Sequence, residues 1–421
     1  FPVDHLTLMR CACIILHNTQ LAGARRCSLC PASTSISEEE RQLLRKSLVL
    51  VVLVLLIMSA VALGAEEIII GLVTPVTGDV ATFGMSVRNA ALLWEKQVNS
   101  RGGIQGRKVK ILVEDDKGTP AETANAVSKL ISQSKVLMIM GPVTSNCASA
   151  GAPIGQANKV PVLTPTGTNP EITAIGDYVF RACFIDPFQG RVMAKFAIET
   201  LKAKTAAMLY DIGNPYTKGL AENFEKFFTS GGGKVVVSET YGAGESDFSA
   251  QLTKIKKANP DVLWLPDYYN TVGLITRQAR QLGIKKAVFL GADGWDSPEL
   301  LPIAGESIEG GFFSNHFFAG STQPAVVAFV RDYKSAYESE PDALAALTWD
   351  ACAIAESALN ASIKKVGKLD RAALRDALAA TRDAQGVSGK MAFDENRNPI
   401  KPAVILEVKN AKFAYKSTIN P

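Results

Sequence analysis

The stretch Met138–Thr173, MIMGPVTSNCASAGAPIGQANKVPVLTPTGTNPEIT, carries the first reading of the fold. The apolar run Val136–Met140 is short enough for a buried strand, and Gly141-Pro142 stops it. Thr144, Ser145 and Asn146 follow, all residue types that cap helix N-termini. The small residues from Ala148 to Gly155 suit a helix lying close to a sheet. A second apolar run, Val160–Leu163, leads into Thr164-Pro165-Thr166-Gly167-Thr168-Asn169-Pro170. Two strand ends thereby set hydroxyls and free backbone N–H groups side by side. A helix N-terminus with hydroxyls beside it attracts an anion such as a carboxylate. Two capped turns that bind nothing would read the same way.

Upstream, strand Ile68–Val73, helix Ser86–Val98, strand Val109–Val113 and helix Pro120–Gln133 lead into this stretch. Such a βαβαβ rhythm predicts a parallel sheet with helices on both faces. Downstream the rhythm restarts at strand Tyr178–Ala182. It continues through helix Gln189–Leu201, strand Thr205–Tyr210, helix Tyr216–Phe228, strand Lys234–Ser238 and helix Phe248–Ala258. Strand Val262–Pro266, helix Thr271–Leu282, strand Ala287–Gly291, a helix near Ser297–Ala304 and strand Gly310–Ser314 complete it. Helices Pro324–Tyr337, Ala343–Lys365 and Arg371–Ala380 follow with no strands between them. Met391–Phe393 and Ala403–Lys416 read as antiparallel strands.

Two α/β units result, with no low-complexity linker between them. Ligands of open α/β sheets bind outside the C-terminal ends of the strands. In the first unit those ends carry Thr77, Phe83, Ser145, Thr166 and Thr168. In the second they carry Tyr216, Asp267-Tyr268-Tyr269 and Asp293-Gly294-Trp295-Asp296. One side offers hydroxyls and N–H groups, the other aromatics and carboxylates. A zwitterion needs both kinds of partner.

A length of 421 residues predicts two or more domains with ample core. The formal charge is +4 with 20% charged residues and no Lys/Arg block in the body, so nucleic acid is not an expected partner. Residues 1–65 differ from the rest. Leu48–Leu63 is a charge-free apolar run preceded by Arg41, Arg45 and Lys46 and followed by Gly64-Ala65. That order describes a secretory signal peptide, with cleavage after Ala65 or Ala62 and a periplasmic destination. An uncleaved anchor is the alternative, since the run approaches spanning length. Cys11, Cys13, Cys27 and Cys30 precede the run, without standard metal-ligand spacing to His5 and His17. Cys147, Cys183 and Cys352 remain after Ala65 and read as small buried residues rather than a disulfide framework.

Enzyme chemistry finds little purchase. The chain has no Gly-x-Ser-x-Gly elbow, and His316 is the only histidine after Ala65. No His/Cys/Asp cluster has metal-ligand spacing. Gly78 to Gly84 lacks the Gly-x-Gly-x-x-Gly spacing of a dinucleotide site, so no cofactor is expected.

Five motifs together resemble the periplasmic branched-chain amino-acid-binding proteins of bacterial ABC transporters. They are Gly71-Leu72-Val73-Thr74-Pro75-Val76-Thr77-Gly78, Asn99-Ser100-Arg101-Gly102-Gly103-Ile104-Gln105-Gly106-Arg107 and Thr166-Gly167-Thr168-Asn169-Pro170-Glu171. Gly244-Glu245-Ser246-Asp247-Phe248-Ser249-Ala250 and Tyr268-Tyr269 ahead of Arg277-Gln278-Ala279-Arg280 complete the set. Their order and spacing cover residues 66–421. The resemblance implies a type I periplasmic binding protein: α/β, with two doubly wound lobes of mostly parallel sheet joined by a three-strand hinge. It puts the crossings near Ile185, Asn315 to Phe318, and Lys401 to Ala403. Lobe one is then residues 66–185 plus 318–401, and lobe two 186–317 plus 402–421.

The resemblance also assigns roles. The carboxylate-binding serine falls on Ser145, the carbonyl contact to the ammonium on Thr166 and a hydroxyl contact on Thr168. Cleft tyrosines fall on Tyr216 and Tyr268, and the acid facing the ammonium on Asp293, where familiar members carry Glu. Phe83 takes an aromatic lining position where a Trp is familiar, and Val143 and Thr144 flank the side-chain pocket. Lys117-Gly118 and Thr144 supply no thiols for the disulfide of familiar members. On spacing alone, Tyr268-Tyr269 also reads as strand-end packing, Asp293 as a turn residue and Asp247 as the cap of the Phe248 helix. The resemblance thus implies a monomeric carrier of an apolar α-amino acid that docks on a membrane permease. A ligand-binding sensor for amides or amino acids is the competing class.

Overall fold

A computed structural model describes residues 66–421, together with the isolated positions 38, 42, 46 and 47. The expected signal peptide, its cleavage site and the first four cysteines lie outside the described residues.

The first sheet contains β1 (Ile68–Thr74), β2 (Val109–Asp115), β3 (Met138–Met140), β4 (Val162–Thr164) and β5 (Val179–Arg181). Its order is β2-β1-β3-β4-β5, and every pairing is parallel. Helices α1 (Ala81–Ser100), α2 (Pro120–Ser132), α3 (Ser145–Ala157) and α4 (Glu171–Ala174) connect these strands. The continuous apolar run of β3 is buried throughout, as a strand covered on both faces requires. Thr119 caps α2 with Pro120 in its first turn, and Thr144 caps α3 by accepting from Cys147 N at 3.4 Å.

The second sheet is built from α5 (Asp186–Glu199), β6 (Thr205–Asp211), α6 (Pro215–Ser230), β7 (Lys234–Tyr241), α7 (Ser249–Ala258), β8 (Val262–Trp264), α8 (Tyr269–Gln281), β9 (Val288–Gly291), α9 (Leu300–Ala304) and β10 (Phe312–Asn315). Helices α10 (Pro324–Tyr337), α11 (Ala343–Val366) and α12 (Arg371–Ala379) come next, and α11 packs along α1. A small antiparallel sheet of β11 (Asp383–Gly386), β12 (Gly389–Phe393) and β13 (Pro399–Ile400) precedes β14 (Ala403–Lys409) and β15 (Lys412–Ile419). The last two strands join the second sheet antiparallel, giving the order β15-β14-β10-β9-β8-β6-β7. The chain passes from the first sheet to the second around 182–185, leaves the second sheet around 316–323 for helices of which α11 packs along α1, and re-enters it around 401–402, three passages in all.

Three expectations need correction. The strand at Tyr178–Ala182 does not open the second unit: Val162 and Val179 are in register, so β5 closes the first sheet. Helix α1 begins at Ala81, five residues before the expected Ser86, so Phe83 and Gly84 sit on its first turns. The fold uses the missing side chain of Gly84. A Cβ there would lie 1.8 Å from the Pro75 carbonyl oxygen, so only glycine lets α1 approach the turn after β1. The helix expected at Ser297–Ala304 shrinks to Leu300–Ala304 between 3-10 turns at Asp293–Trp295 and Gly305–Ile308. Strand β11, Asp-Ala-Gln-Gly, had no alternation to reveal it.

Cys147, Cys183 and Cys352 are free and buried, as expected of packing residues. Burial pushes the Cys147 thiol up to about 11, where it is inert at neutral pH. Asp247 is not the cap it was expected to be: the N-cap is Phe248, and Asp247 one residue ahead closes a turn, its Oδ1 accepting from Ser249 N at 3.0 Å.

Candidate ligand-binding site

Both sheets reverse strand order at a switch point: between β1 and β3 in the first, between β6 and β8 in the second. The crevice outside such a point is where open α/β sheets take ligands. The loops beyond these strand ends face each other across one pocket, with a cavity volume of about 30 Å³. All nine residues singled out from sequence line it: Phe83, Val143, Thr144, Ser145, Thr166, Thr168, Tyr216, Tyr268 and Asp293.

The first wall is hydroxyl-rich. Ser145 stands on the first turn of α3, where backbone N–H groups lack helical partners. Its Oγ accepts from Asn169 N at 3.2 Å, which leaves its own proton to donate. Thr166 Oγ1 donates to Val143 O at 2.7 Å, tying the loops after β3 and β4 together. Thr168 is buried, and its carbonyl accepts from Asp186 N at 3.1 Å. Among the described residues, no lysine or arginine lines the pocket.

The second wall centres on Asp293. Its Oδ1 accepts from Tyr216 Oη at 2.7 Å and from Gln189 Nε2 at 3.0 Å. Its Oδ2 lies 3.0 Å from His316 Nε2. Gly294 follows, and its N–H donates to Tyr216 Oη at 2.8 Å. A Cβ on Gly294 would come within 2.8 Å of that oxygen, so glycine is required for the approach. Tyr268 stacks on Tyr216 with ring centroids 5.1 Å apart and 7° between planes. Its own hydroxyl is buried with no hydrogen-bond partner. Burial holds both tyrosine hydroxyls well above their ordinary pKa, so they face the pocket as neutral donors.

An apolar side completes the pocket. Phe83 meets Tyr268 edge-on at 5.7 Å, and Val143 lies near it. Ala343, Leu344 and Leu347, on the first turns of α11, close the space. Sequence reasoning missed these three together with Gln189 and His316. The helix itself was expected, and Asp342 ahead of it is a cap residue. Its side chain does cap α11, accepting from Ala345 N at 2.8 Å. That start marked where α11 begins but not what its first turn faces.

Other strand-end residues do not reach the pocket. Thr77 turns away, its hydroxyl donating to Asp115 Oδ2 at 2.5 Å. Asp267 accepts from Tyr268 N at 2.6 Å and from Tyr241 Oη, and burial raises its carboxyl to about 6. Trp295 is buried, with Nε1 donating to Leu265 O at 2.9 Å. Tyr269 packs edge-on to Phe83 at 5.0 Å, and its hydroxyl donates to Asp79 O at 3.3 Å.

The rims touch. Thr82 Oγ1 and Ser297 Oγ are 3.0 Å apart, Asn169 Nδ2 donates to Pro215 O at 2.9 Å, and Ala343 N donates to Asp296 Oδ2 at 2.7 Å. A pocket between the facing strand ends of two open α/β sheets has the geometry of a solute-binding protein.

The chain belongs to the periplasmic binding protein family, whose model matches residues 67–412. It is 32% identical over 339 residues to "Leu/Ile/Val-binding protein homolog 3" of Brucella melitensis, covering 80% of this chain and 90% of that protein. It is 32% identical over 335 residues to the leucine-, isoleucine-, valine-, threonine- and alanine-binding protein of Pseudomonas aeruginosa, covering 79% of this chain and 87% of that one. Among solved structures, the leucine-binding protein LivK of Thermotoga maritima superposes with a TM-score of 0.78 at 38% identity, over 84% of this chain and 99% of that one. LivJ of Streptococcus pneumoniae, a branched-chain amino acid transporter substrate-binding protein solved with isoleucine, gives 0.78 at 32% identity, over 85% and 100%. The fold is therefore that of the type I periplasmic binding proteins.

Proposed function

We propose that this protein captures an apolar α-amino acid, of the leucine, isoleucine or valine kind, and delivers it to the permease of an ABC transporter. One observation carries the reading: the α3 N-terminus with its hydroxyls faces the Asp293 carboxylate across a pocket with an apolar side. Ser145, Thr168 and the N–H groups at the start of α3 hold the ligand carboxylate without a cation. Asp293 receives the ammonium, with Tyr268 and the Thr166 carbonyl beside it. Phe83, Val143, Leu344 and Leu347 take the side chain. No nucleophile with a base, and no cofactor, is needed for this role.

The lobes in this reading are residues 66–185 plus 318–401 and residues 186–317 plus 402–421, and they close on the ligand about the three passages as a population shift. Residues 1–65 act as the leader that sends the protein, a monomer, to the periplasm. The names of the relatives support the ligand class. Calorimetry of the ligand-stripped protein against the amino acids and simple amides tests it. Leucine, isoleucine or valine should bind far more tightly than acetamide; equal binding of acetamide and leucine refutes the assignment. Scattering with and without ligand should show compaction.

A further inference from the structure

His316 is the one pocket residue that belongs to a passage between the sheets. It follows β10 directly, is 2% exposed, and lines the pocket beside Asp293. Its ring stacks on Phe184, with centroids 3.6 Å apart and 23° between planes. Phe184 lies in the first passage, between β5 and α5. On that same ring sits the third passage, with Lys401 Nζ 6.0 Å from the Phe184 centroid and donating to Ser388 Oγ at 2.5 Å. Side chains from all three passages thus meet at Phe184.

The hydrogen bonds around Asp293 make His316 more than packing. A carboxylate has about four lone-pair sites, two on each oxygen. Oδ1 already accepts from Tyr216 Oη and Gln189 Nε2, while Oδ2 has only His316 Nε2. The free acceptor position is therefore on Oδ2, the oxygen His316 holds. Burial drives the imidazole pKa down to about 4, against the pull of Asp293, so the ring is neutral near pH 7. The proton then belongs on the nitrogen facing the carboxylate, and Nδ1 has no hydrogen-bond partner. A neutral donor orients the carboxylate without pairing off its charge, which a protonated imidazole would do.

We propose that His316 is the positioning residue of the ammonium site: its Nε2–H presents Asp293 Oδ2 to the ligand, and its stack on Phe184 fixes that geometry to the passages between the lobes. This rests on the amino-acid reading above. Three neutral donors, Tyr216, Gln189 and His316, aim the short side chain of Asp293.

Two substitutions separate the donor from the ring. His316→Phe keeps a ring for the stack and removes the donor; His316→Gln keeps an N–H near the Nε2 position and removes the ring. Calorimetry with leucine, alongside circular dichroism of each variant, reads the outcome. Donation predicts that His316→Phe weakens binding roughly tenfold to a hundredfold, the range for a hydrogen bond to a charged group, and that His316→Gln restores most of it. A packing role predicts the reverse order, with Phe tolerated and Gln impaired, and that result overturns the proposal, as does unchanged affinity in His316→Phe. His316→Met replaces the Phe variant should that one not fold. Wild-type protein that binds no amino acid removes the ligand reading itself, and this proposal with it.

Discussion

The two main sheets repeat one topology and differ in chemistry. Counted from its first strand, each runs second-first-third-fourth-fifth, as β2-β1-β3-β4-β5 and as β7-β6-β8-β9-β10. The helix after the leading strand supplies an aromatic from its first turn in both, Phe83 on α1 and Tyr216 on α6. Beyond that the loops diverge: Thr144, Ser145, Thr166 and Thr168 on one side, Tyr268 and Asp293 on the other. Topology sets where the pocket lies, and in the function proposed here a few residues at its rims set which end of the ligand each wall holds. A zwitterion fits between walls of opposite character; two like walls would select a different ligand.

The sharpest break of that comparison is at Asp293. Asp293→Ala leaves a buried ammonium unpaired, at a cost of roughly 3–5 kcal/mol, or about two to four orders of magnitude in leucine affinity by calorimetry. On the opposite wall, Ser145→Ala removes a hydroxyl from the carboxylate end and costs about 1.5–3 kcal/mol. Because that wall offers several donors, a loss there as large as at Asp293 would count against the division of labour. Leu347→Ala tests the side shared by neither polar wall. It should lower leucine affinity about tenfold, at ~1–2 kcal/mol for lost apolar contact, and raise the relative standing of larger side chains in competition binding.

The smallest effect concerns pH. Asp296, from the second sheet's side, accepts from Ala343 N at the start of α11, next to Asp342. Burial raises the Asp296 carboxyl to about 6 and the Asp342 carboxyl to about 7, with Asp293 adding to the first and Asp296 to the second. The two titrate together. A carboxyl whose pKa rises on closure opposes closure above that pKa and ceases to oppose it below. If it is closure that buries this pair, closure takes up protons, and affinity should climb by a few-fold as pH falls from about 8 to about 6. Calorimetry in buffers of different ionisation enthalpy detects the uptake, and Asp296→Asn should reduce it. An unchanged uptake in that variant assigns the protons elsewhere.

How much could be read beforehand follows from what each feature depends on. Buried strands such as β3 and β8 announce themselves as short apolar runs, and turns with Thr, Asn or Asp before a helix mark its cap. Strand ends could therefore be located, and family resemblance gave their residues roles. What stayed hidden depends on distant partners. Leu344 and Leu347 lie on a helix whose apolar periodicity says only that a face is buried, not that its first turn meets a pocket whose other residues run from Phe83 to His316. Gln189 and His316 reach Asp293 across 104 and 23 residues, and neither stands at a motif. The rhythm alone put β5 at the head of the second unit, because a strand pattern does not name its neighbour, whereas the boundary at 185 implied by the resemblance kept it with the first.

The central claim is that one ligand is held head to tail between unlike walls. A crystal structure of the ligand-stripped protein soaked or grown with leucine tests it most directly. The account predicts the leucine carboxylate at the start of α3 beside Ser145 and Thr168, the ammonium on Asp293 Oδ2, and the side chain against Leu344 and Leu347. Leucine bound in the opposite orientation, or bound outside this pocket, would contradict it.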